Sequence, residues 1–239
     1  MIRNYFKIAW RNLVRNKTFS VINIIGLTTG LVCCLLLLLY IQHELSFDNF
    51  HPNKDRIVRV IMEYGFDGNK PEKGNWTSTK VFPSFKRQFP EVESGVRLNT
   101  MWTRNVVKYG NKFLIEIDYL YADSTFFNVF GYELISGNPS QVLKLTNNVV
   151  ITETSAKKYF GNVNPVGKTL LIGTRQIPFL VTGVAKDCPD NSQLKFDFIA
   201  SFSSLGDNQD HTYFNANYTT YLLLHDNNSI ASLQKKIEP

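Results

Sequence analysis

The stretch FGNVNPVGKT, residues 160–169, has the residue types of a phosphate-binding loop: glycines to free the backbone and a Gly-Lys-Thr end. In such a loop successive amides wrap one phosphate, the lysine neutralises it and the hydroxyl reaches a magnesium ion. That wrapping needs four residues between the first glycine and the Gly-Lys pair, and here Asn162 to Val166 make five. Pro165 removes one amide donor. The order of elements is also reversed. A phosphate loop runs from a strand into a helix N-terminus, whereas VVITETSAKKYFG reads as a strand and a helix before the loop, and KTLLIG as a strand after it. The stretch is therefore a helix stop at Gly161 in the left-handed position, a turn at Pro165 and a strand start at Lys168.

Other combinations that could do chemistry fail in the same way. His43-Glu44 begins like a zinc-protease helix, but position 47 is Phe where the second histidine is required. His43, His51, His211 and His225 share no ligand spacing and read as surface or turn residues. Cys33 and Cys34 are neighbours in an apolar run and Cys188 is solitary, so neither a disulfide framework nor a zinc site is expected. No serine lies in G-x-S-x-G, and Asp187, Asp190 and Asp197 are too scattered for a metal loop. No catalytic residue, metal or cofactor is expected, and an anchored hydrolase has no motif to support it.

The elements around these residues are more informative. Residues 19–42, FSVINIIGLTTGLVCCLLLLLYIQ, carry no charge, and as a helix they span the roughly 30 Å of a bilayer core. Trp10 and Tyr40 flank the run, as interfacial aromatic rings do. Arg3, Lys7, Arg11, Arg15 and Lys17 all precede it, which predicts a cytoplasmic N-terminus and an external body. The leader is too long and the apolar run lacks a small-residue cleavage site, so an uncleaved anchor is expected rather than a signal peptide. Residues 1–18 place Ile2, Phe6, Ala9, Trp10, Leu13 and Val14 on one helical face and the basic residues at i, i+4, which predicts an amphipathic helix on the membrane lipid.

The net charge of +6 comes mostly from this leader: the first five charges are basic, and the first acid is Glu44. The rest is nearly neutral, which argues against a nucleic-acid surface. From residue 43 onward short strands mix with a few short helices, an α+β pattern. RIVRVIMEY (56–64) reads as one strand, KVFPSFKRQFP as a short helix ended by Pro90, and VESGVRLN as a strand. NVVKYGNKFLIEIDYLYAD reads as a hairpin around Tyr109-Gly110-Asn111-Lys112, and Asp123 is placed to cap STFFNVF. Phe126, Phe127, Phe130 and Tyr132 read as core, and a helix opens near Thr152 or Thr154.

The ordered set FKIAWRNLVRNKTFSVINIIGLTTG, ELSFDNFHPNKDRIVRV, ADSTFFNVFGYELISGNP, VVITETSAKKYFGNVNPVGKTLLI and FLVTGVAKDCPDNSQLKFDFIAS resembles the N-terminal part of an ABC transporter permease of the MacB/FtsX type. The resemblance implies a cytoplasmic helix (1–18), a transmembrane helix (19–42) and an extracytoplasmic core domain (43–239). In that domain a porter-like lobe, about 45–100 and 192–239, is interrupted by a strand-rich lobe, about 101–191. It implies three further membrane helices, so that this chain is truncated before them, and residence in the inner membrane with the main domain periplasmic. It also implies a separate cytoplasmic ABC ATPase subunit, a second permease copy, and in some members a periplasmic adaptor. The function implied is mechanotransmission, in which ATP hydrolysis moves the outer domain for export or efflux. On this reading Glu44, Asp48, Phe50, Arg56 and Arg59 form the junction where helix motion reaches that domain. Asp48 and Arg56 could pair there, or stand as solvated turn charges worth about 0–1 kcal/mol. A membrane-anchored sensor or binding module is the alternative that one anchor plus an α+β domain also fits.

Overall fold

The computed structural model describes residues 2–65, 72–100, 105–208 and 216–237, apart from the side chains of Ile2, Phe6, Asp207 and Asn208. Two members of the leader's apolar stripe, Ile2 and Phe6, and one of the four histidines, His211, thus fall outside what is described. The chain divides into two compact units, up to Phe47 and from Asp48 on.

The first unit is two helices, α1 (Ile2–Arg15) and α2 (Lys17–Leu45). They break at Asn16, whose backbone leaves the helical region (φ −107°, ψ 59°). The Ser20 hydroxyl donates to the Leu13 carbonyl at 2.9 Å, supplying a partner that α1 loses at its end. Helix α2 has 29 residues and none is buried. At about 43 Å it is long enough to cross a bilayer.

The second unit is a mixed sheet with helices packed on both faces. The chain runs β1 (Ile57–Arg59), β2 (Met62–Tyr64), β3 (Glu72–Gly74), α3 (Val81–Gln88) and β4 (Val92–Asn99). Then come β5 (Asn105–Tyr109), β6 (Lys112–Glu116), β7 (Tyr119–Ala122), α4 (Phe126–Phe130) and β8 (Leu134–Ser136). It continues through β9 (Asn148–Thr152), α5 (Glu153–Phe160), β10 (Thr169–Ile172), β11 (Ile177–Ala185) and β12 (Phe198–Ser201) to β13 (Thr219–Leu224) and α6 (Ser229–Ile237). The main sheet has the order β1-β13-β4-β7-β12-β9-β11-β10-β5-β6, with β8 beside β11. The pairs β7–β12 and β9–β11 are parallel and the remaining pairs of this path antiparallel.

Strand β9 explains why the middle of the sheet reads as an unbroken apolar run. All five of its residues are buried; Val150 packs under α4 with Phe126, Phe130 and Ile199, while Val149 and Ile151 join Tyr159, Phe160 and Phe198 under α5. Alternate side chains serve opposite faces, so a strand covered on both sides needs no polar positions. A third core joins α3 and α6 to the β1 end through Phe82, Phe85, Leu222, Leu224 and Leu233.

Several local expectations meet competing partners. Residues 56–64 are two strands, since the chain leaves β13 after Val60 and β2 pairs with β3 in a separate ribbon. Asp123 does not cap α4: both its carboxylate oxygens are taken by Arg97, at 2.7 and 2.8 Å, and the Thr125 hydroxyl at the N-cap donates to the Gly95 carbonyl at 2.5 Å instead of capping the helix. Thr152 does cap α5, accepting from the Ser155 amide at 3.3 Å. Gly161 has the expected positive φ of 64° but ψ of −120°, outside the left-handed helical region. After it, the amides of Val163, Val166, Gly167 and Lys168 all donate within the protein, to Phe160, Asn164, Val181 and Pro165. These donors are spent on closing the turn into β10, which removes the cradle a phosphate would need.

Helix α6 is held by charge as well as by Leu233. Glu91 accepts from Lys236 and from the Ser232 hydroxyl, which hold its carboxyl down at about 2 from an ordinary 4.5. A lowered folded-state value gives stability that is complete above the unfolded range and disappears as the pH falls toward 2. Hydrogen-exchange protection factors around Leu233 are therefore expected to fall between about pH 4.5 and pH 2 in the parent, and to show a weaker pH dependence in Glu91→Gln.

Candidate functional site

The segment that follows α2, residues 48–59, is fastened to three separate parts of the second unit. Asp48 has φ of 55°, a turn conformation that asparagine and aspartate tolerate better than other side-chain-bearing residues. Its amide donates to the Asn191 carbonyl and its carboxylate accepts from the Gln193 amide, both at 2.9 Å. Asp48 thus secures the loop before β12.

The next attachment is to the end of α4. A helix leaves its last carbonyls unpaired, and here residues far away in sequence supply donors. His51 Nδ1 lies 2.7 Å from the Phe130 carbonyl, and Asn53 Nδ2 donates to those of Val129 at 2.9 Å and Asn128 at 3.3 Å. With a carbonyl as its partner, Nδ1 carries the proton, and Nε2 faces Asp48 at 3.6 Å. His51 is only 6% exposed and makes ring contacts with Phe50, Phe130 and Tyr132; of the two places expected for it, surface or turn, it takes the turn, and long-range packing buries it there. Gly131 completes the contact. It ends α4 in the left-handed region (φ 74°, ψ 24°), and a Cβ there would meet the Pro52 ring at 2.4 Å.

The third attachment is Arg56. Its guanidinium reaches Glu93 at 2.7 Å, the carbonyls of Leu224 and His225 at 3.0 and 3.1 Å, and Asn53 Oδ1 at 2.8 Å. Arg56 therefore pairs with Glu93, and the partner considered for it, Asp48, is engaged with His51 and Gln193. The fork of donors in arginine suits one residue joining four acceptors.

Asp48, His51, Lys54, Ile57, Arg59, Phe130, Gln193, Leu194 and Tyr221 surround a pocket of about 290 Å³. Burial raises the Tyr221 hydroxyl even though Arg59 beside it pulls the other way. Burial likewise raises Tyr132, which donates to the Leu194 carbonyl at 2.9 Å, and pushes the Cys188 thiol up to about 11. Tyr221 on the pocket wall, like Tyr132 and Cys188 outside its lining, therefore keeps its proton at neutral pH. Among the described residues no three His, Cys, Asp or Glu side chains are grouped to hold a metal ion.

Of the expected junction residues, Asp48, Arg56 and Phe50 belong to these attachments, Phe50 through its ring contact with Tyr132 at 5.5 Å. Arg59 lies on β1 in register with Tyr221. Glu44 sits in the last turn of α2 and is exposed. Arg3, Lys7, Arg11, Arg15 and Lys17 are exposed along α1 and at the start of α2. His51, Asn53, Glu93 and Gly131 were not picked out by sequence spacing. The only local sign of them is the turn-forming His51-Pro52-Asn53 directly after the apolar helix.

A family model for the MacB-like periplasmic core domain matches residues 20–239. Among solved structures, a domain of a putative permease protein from Porphyromonas gingivalis is similar at 25% identity and a TM-score of 0.64, over 79% of this chain and 84% of that one. The periplasmic region of MacB from Actinobacillus actinomycetemcomitans shares the fold at 18% identity (TM-score 0.54; 78% and 84% covered). So does the extracellular domain of the noncanonic ABC-type transporter YknZ from Gram-positive bacteria, at 17% identity (TM-score 0.53; 74% and 87% covered). No curated protein matches. With its apolar N-terminal helix and this sheet-rich α+β unit, the chain belongs to the MacB-like periplasmic core domain family, whose members are transporter permease components rather than classical enzymes.

Proposed function

We propose that this chain is the permease subunit of an ABC transporter and passes the motion of its membrane helix to its outer domain. The observation that carries this reading is the triple attachment of residues 48–56 to the loop before β12, the end of α4, and the strands β4 and β13. A flexible tether would leave the segment free of such bonds. A part that transmits displacement has to be stiff where the load enters, and bonds to three separate elements together resist local opening.

In this scheme ATP is hydrolysed by a separate cytoplasmic ABC subunit, which two permease copies engage. The membrane helix lies in the inner membrane with the N-terminus cytoplasmic, and α1 rests on lipid headgroups through Arg3, Lys7, Arg11 and Arg15. Glu44, Asp48, Phe50, Arg56 and Arg59 form the transmitting junction. Within the outer domain, residues of about 45–100 and 192–239 act as the porter-like lobe and those of about 101–191 as the strand-rich lobe. The driven motion serves export or efflux, with a periplasmic adaptor as a further partner in members that use one.

The test uses the natural full-length protein with its ATPase in nanodiscs, carrying a spin label at Lys144→Cys, an exposed loop position. Trapping the ATPase in its nucleotide-bound state is expected to change the distance between labels on paired outer domains. An unchanged distance, with ATP hydrolysis intact, would favour a sensor or binding module. The same Lys144→Cys should react with an impermeant maleimide in intact cells, whereas Arg11→Cys should react only after permeabilisation. The reverse pattern would overturn the orientation.

A further inference from the structure

Strand β6 ends the main sheet and is apolar where an edge is usually guarded. It pairs with β5 alone in the sheet order, and Phe113, Leu114 and Ile115 are 58, 36 and 58% exposed. Ile117, just beyond it, is 61% exposed. Edge strands are ordinarily protected by charge, proline, a bulge or a covering element; here Phe113, Leu114 and Ile115 bring neither charge nor proline, and among the described residues no further strand pairs with β6.

The hairpin fixes which groups face outward. Tyr109 and Lys112 flank the two-residue turn and exchange hydrogen bonds, so Lys112, Leu114 and Glu116 direct their backbone groups at β5. Phe113 and Ile115 direct theirs to the open side. The side chains divide in the same rhythm, with Lys112, Leu114 and Glu116 on one face and Phe113 and Ile115 on the other.

We propose that this edge is the seam between two copies of the chain, paired antiparallel about a two-fold axis at Leu114. The residues Lys-Phe-Leu-Ile-Glu are complementary to their own reverse. In that register Phe113 of one copy lies opposite Ile115 of the other and exchanges both free backbone bonds with it, twice by symmetry. Leu114 meets its own counterpart and Lys112 stands opposite Glu116, so apolar faces apolar and no like charges oppose. A two-fold normal to the sheet has to pass beside a residue that faces itself. Moving it to Phe113 would set Leu114 against Lys112, and moving it to Ile115 would set Leu114 against Glu116. The pattern of charge therefore selects both the occupant and the register. Glu116 keeps its bonds to Lys158 and Tyr159, and Lys112 its bonds to the end of α5, since both are made within one copy.

The experiment uses the natural full-length protein in native membranes, with Cys33, Cys34 and Cys188 replaced by alanine. Leu114→Cys occupies a non-hydrogen-bonded self-facing pair, where the Cα atoms lie about 4.5 Å apart, within disulfide range. Mild oxidation is expected to cross-link Leu114→Cys at least about tenfold faster than Val163→Cys, a more exposed residue away from the edge. Adding Ile115→Pro removes an outward amide but no bond to β5, and is expected to abolish the cross-link while leaving the melting temperature within about 2 °C. Equal rates at positions 114 and 163 would overturn the seam. So would a Leu114→Cys adduct to a different protein, or cross-linking that survives Ile115→Pro.

Discussion

Arg97→Met is expected to destabilise the outer domain by about 2–4 kcal/mol, with a fall of about 5–15 °C in melting temperature. Arg97 and Asp123 are only 17 and 14% exposed and meet at 2.7 Å in a two-pronged pair, and the Arg97 amide donates a further bond to the Asp123 carboxylate. The guanidinium also donates to the Thr79 carbonyl at 3.1 Å and stands over the Phe202 ring at 4.3 Å. One side chain thus joins β4 to the approach to α3, the start of α4 and the turn after β12. Methionine fills similar space but leaves the Asp123 carboxylate half-enclosed without its cation, and that orphaned charge is the main cost. Arg97→Lys should recover less than half of the loss, because an ammonium cannot serve both carboxylate oxygens and lie flat on a ring. Arg97→Met with Asp123→Leu should recover more. Thermal unfolding of the four proteins in detergent checks the series; a loss below about 0.5 kcal/mol in Arg97→Met would mean the pair is solvated and contributes little.

Two glycines inserted between Phe47 and Asp48 are expected to reduce the nucleotide-dependent movement of the Lys144→Cys label by at least about tenfold, while the melting temperature stays within about 2 °C. The insertion lies between the two compact units and breaks none of the bonds from Asp48, Asn53 or Arg56. It changes only the stiffness of the connection. The control places the same two glycines in the turn between Gly173 and Gln176, which joins β10 to β11; movement there should persist. Retained movement with the junction insertion would show that residues 46–48 do not carry the load, and the proposed role of the attachments would fail.

What could be read in the sequence was what neighbours decide. The cap at Thr152, the two-residue turn at Gly110-Asn111 and the helical course of the uncharged run 19–42 depend on residues a few places apart, and each has the expected form. What could not be read depends on partners brought together by the sheet. Asp123 is drawn from its helix by Arg97, 26 positions earlier, and His51 is buried by Phe130, 79 positions later. Arg56 finds Glu93 and two carbonyls at the end of β13 instead of Asp48. Short-range rules place charges in turns but are blind to which acceptor the fold delivers. That is why the bonds of Asp48 and Arg56 could not be read from the sequence.

The place where Arg56 grips the end of β13 has a mechanical meaning. Ile57 begins β1 opposite Leu223, near the end of β13, so the domain's incoming strand and its last strand are zipped together at one corner. Pulled apart there, such a zipper opens one bond at a time and resists weakly. Pushed or tilted as one, it loads its bonds together. On the proposed function this corner is the root of an oar, where motion of the membrane helix would swing the sheet as one piece.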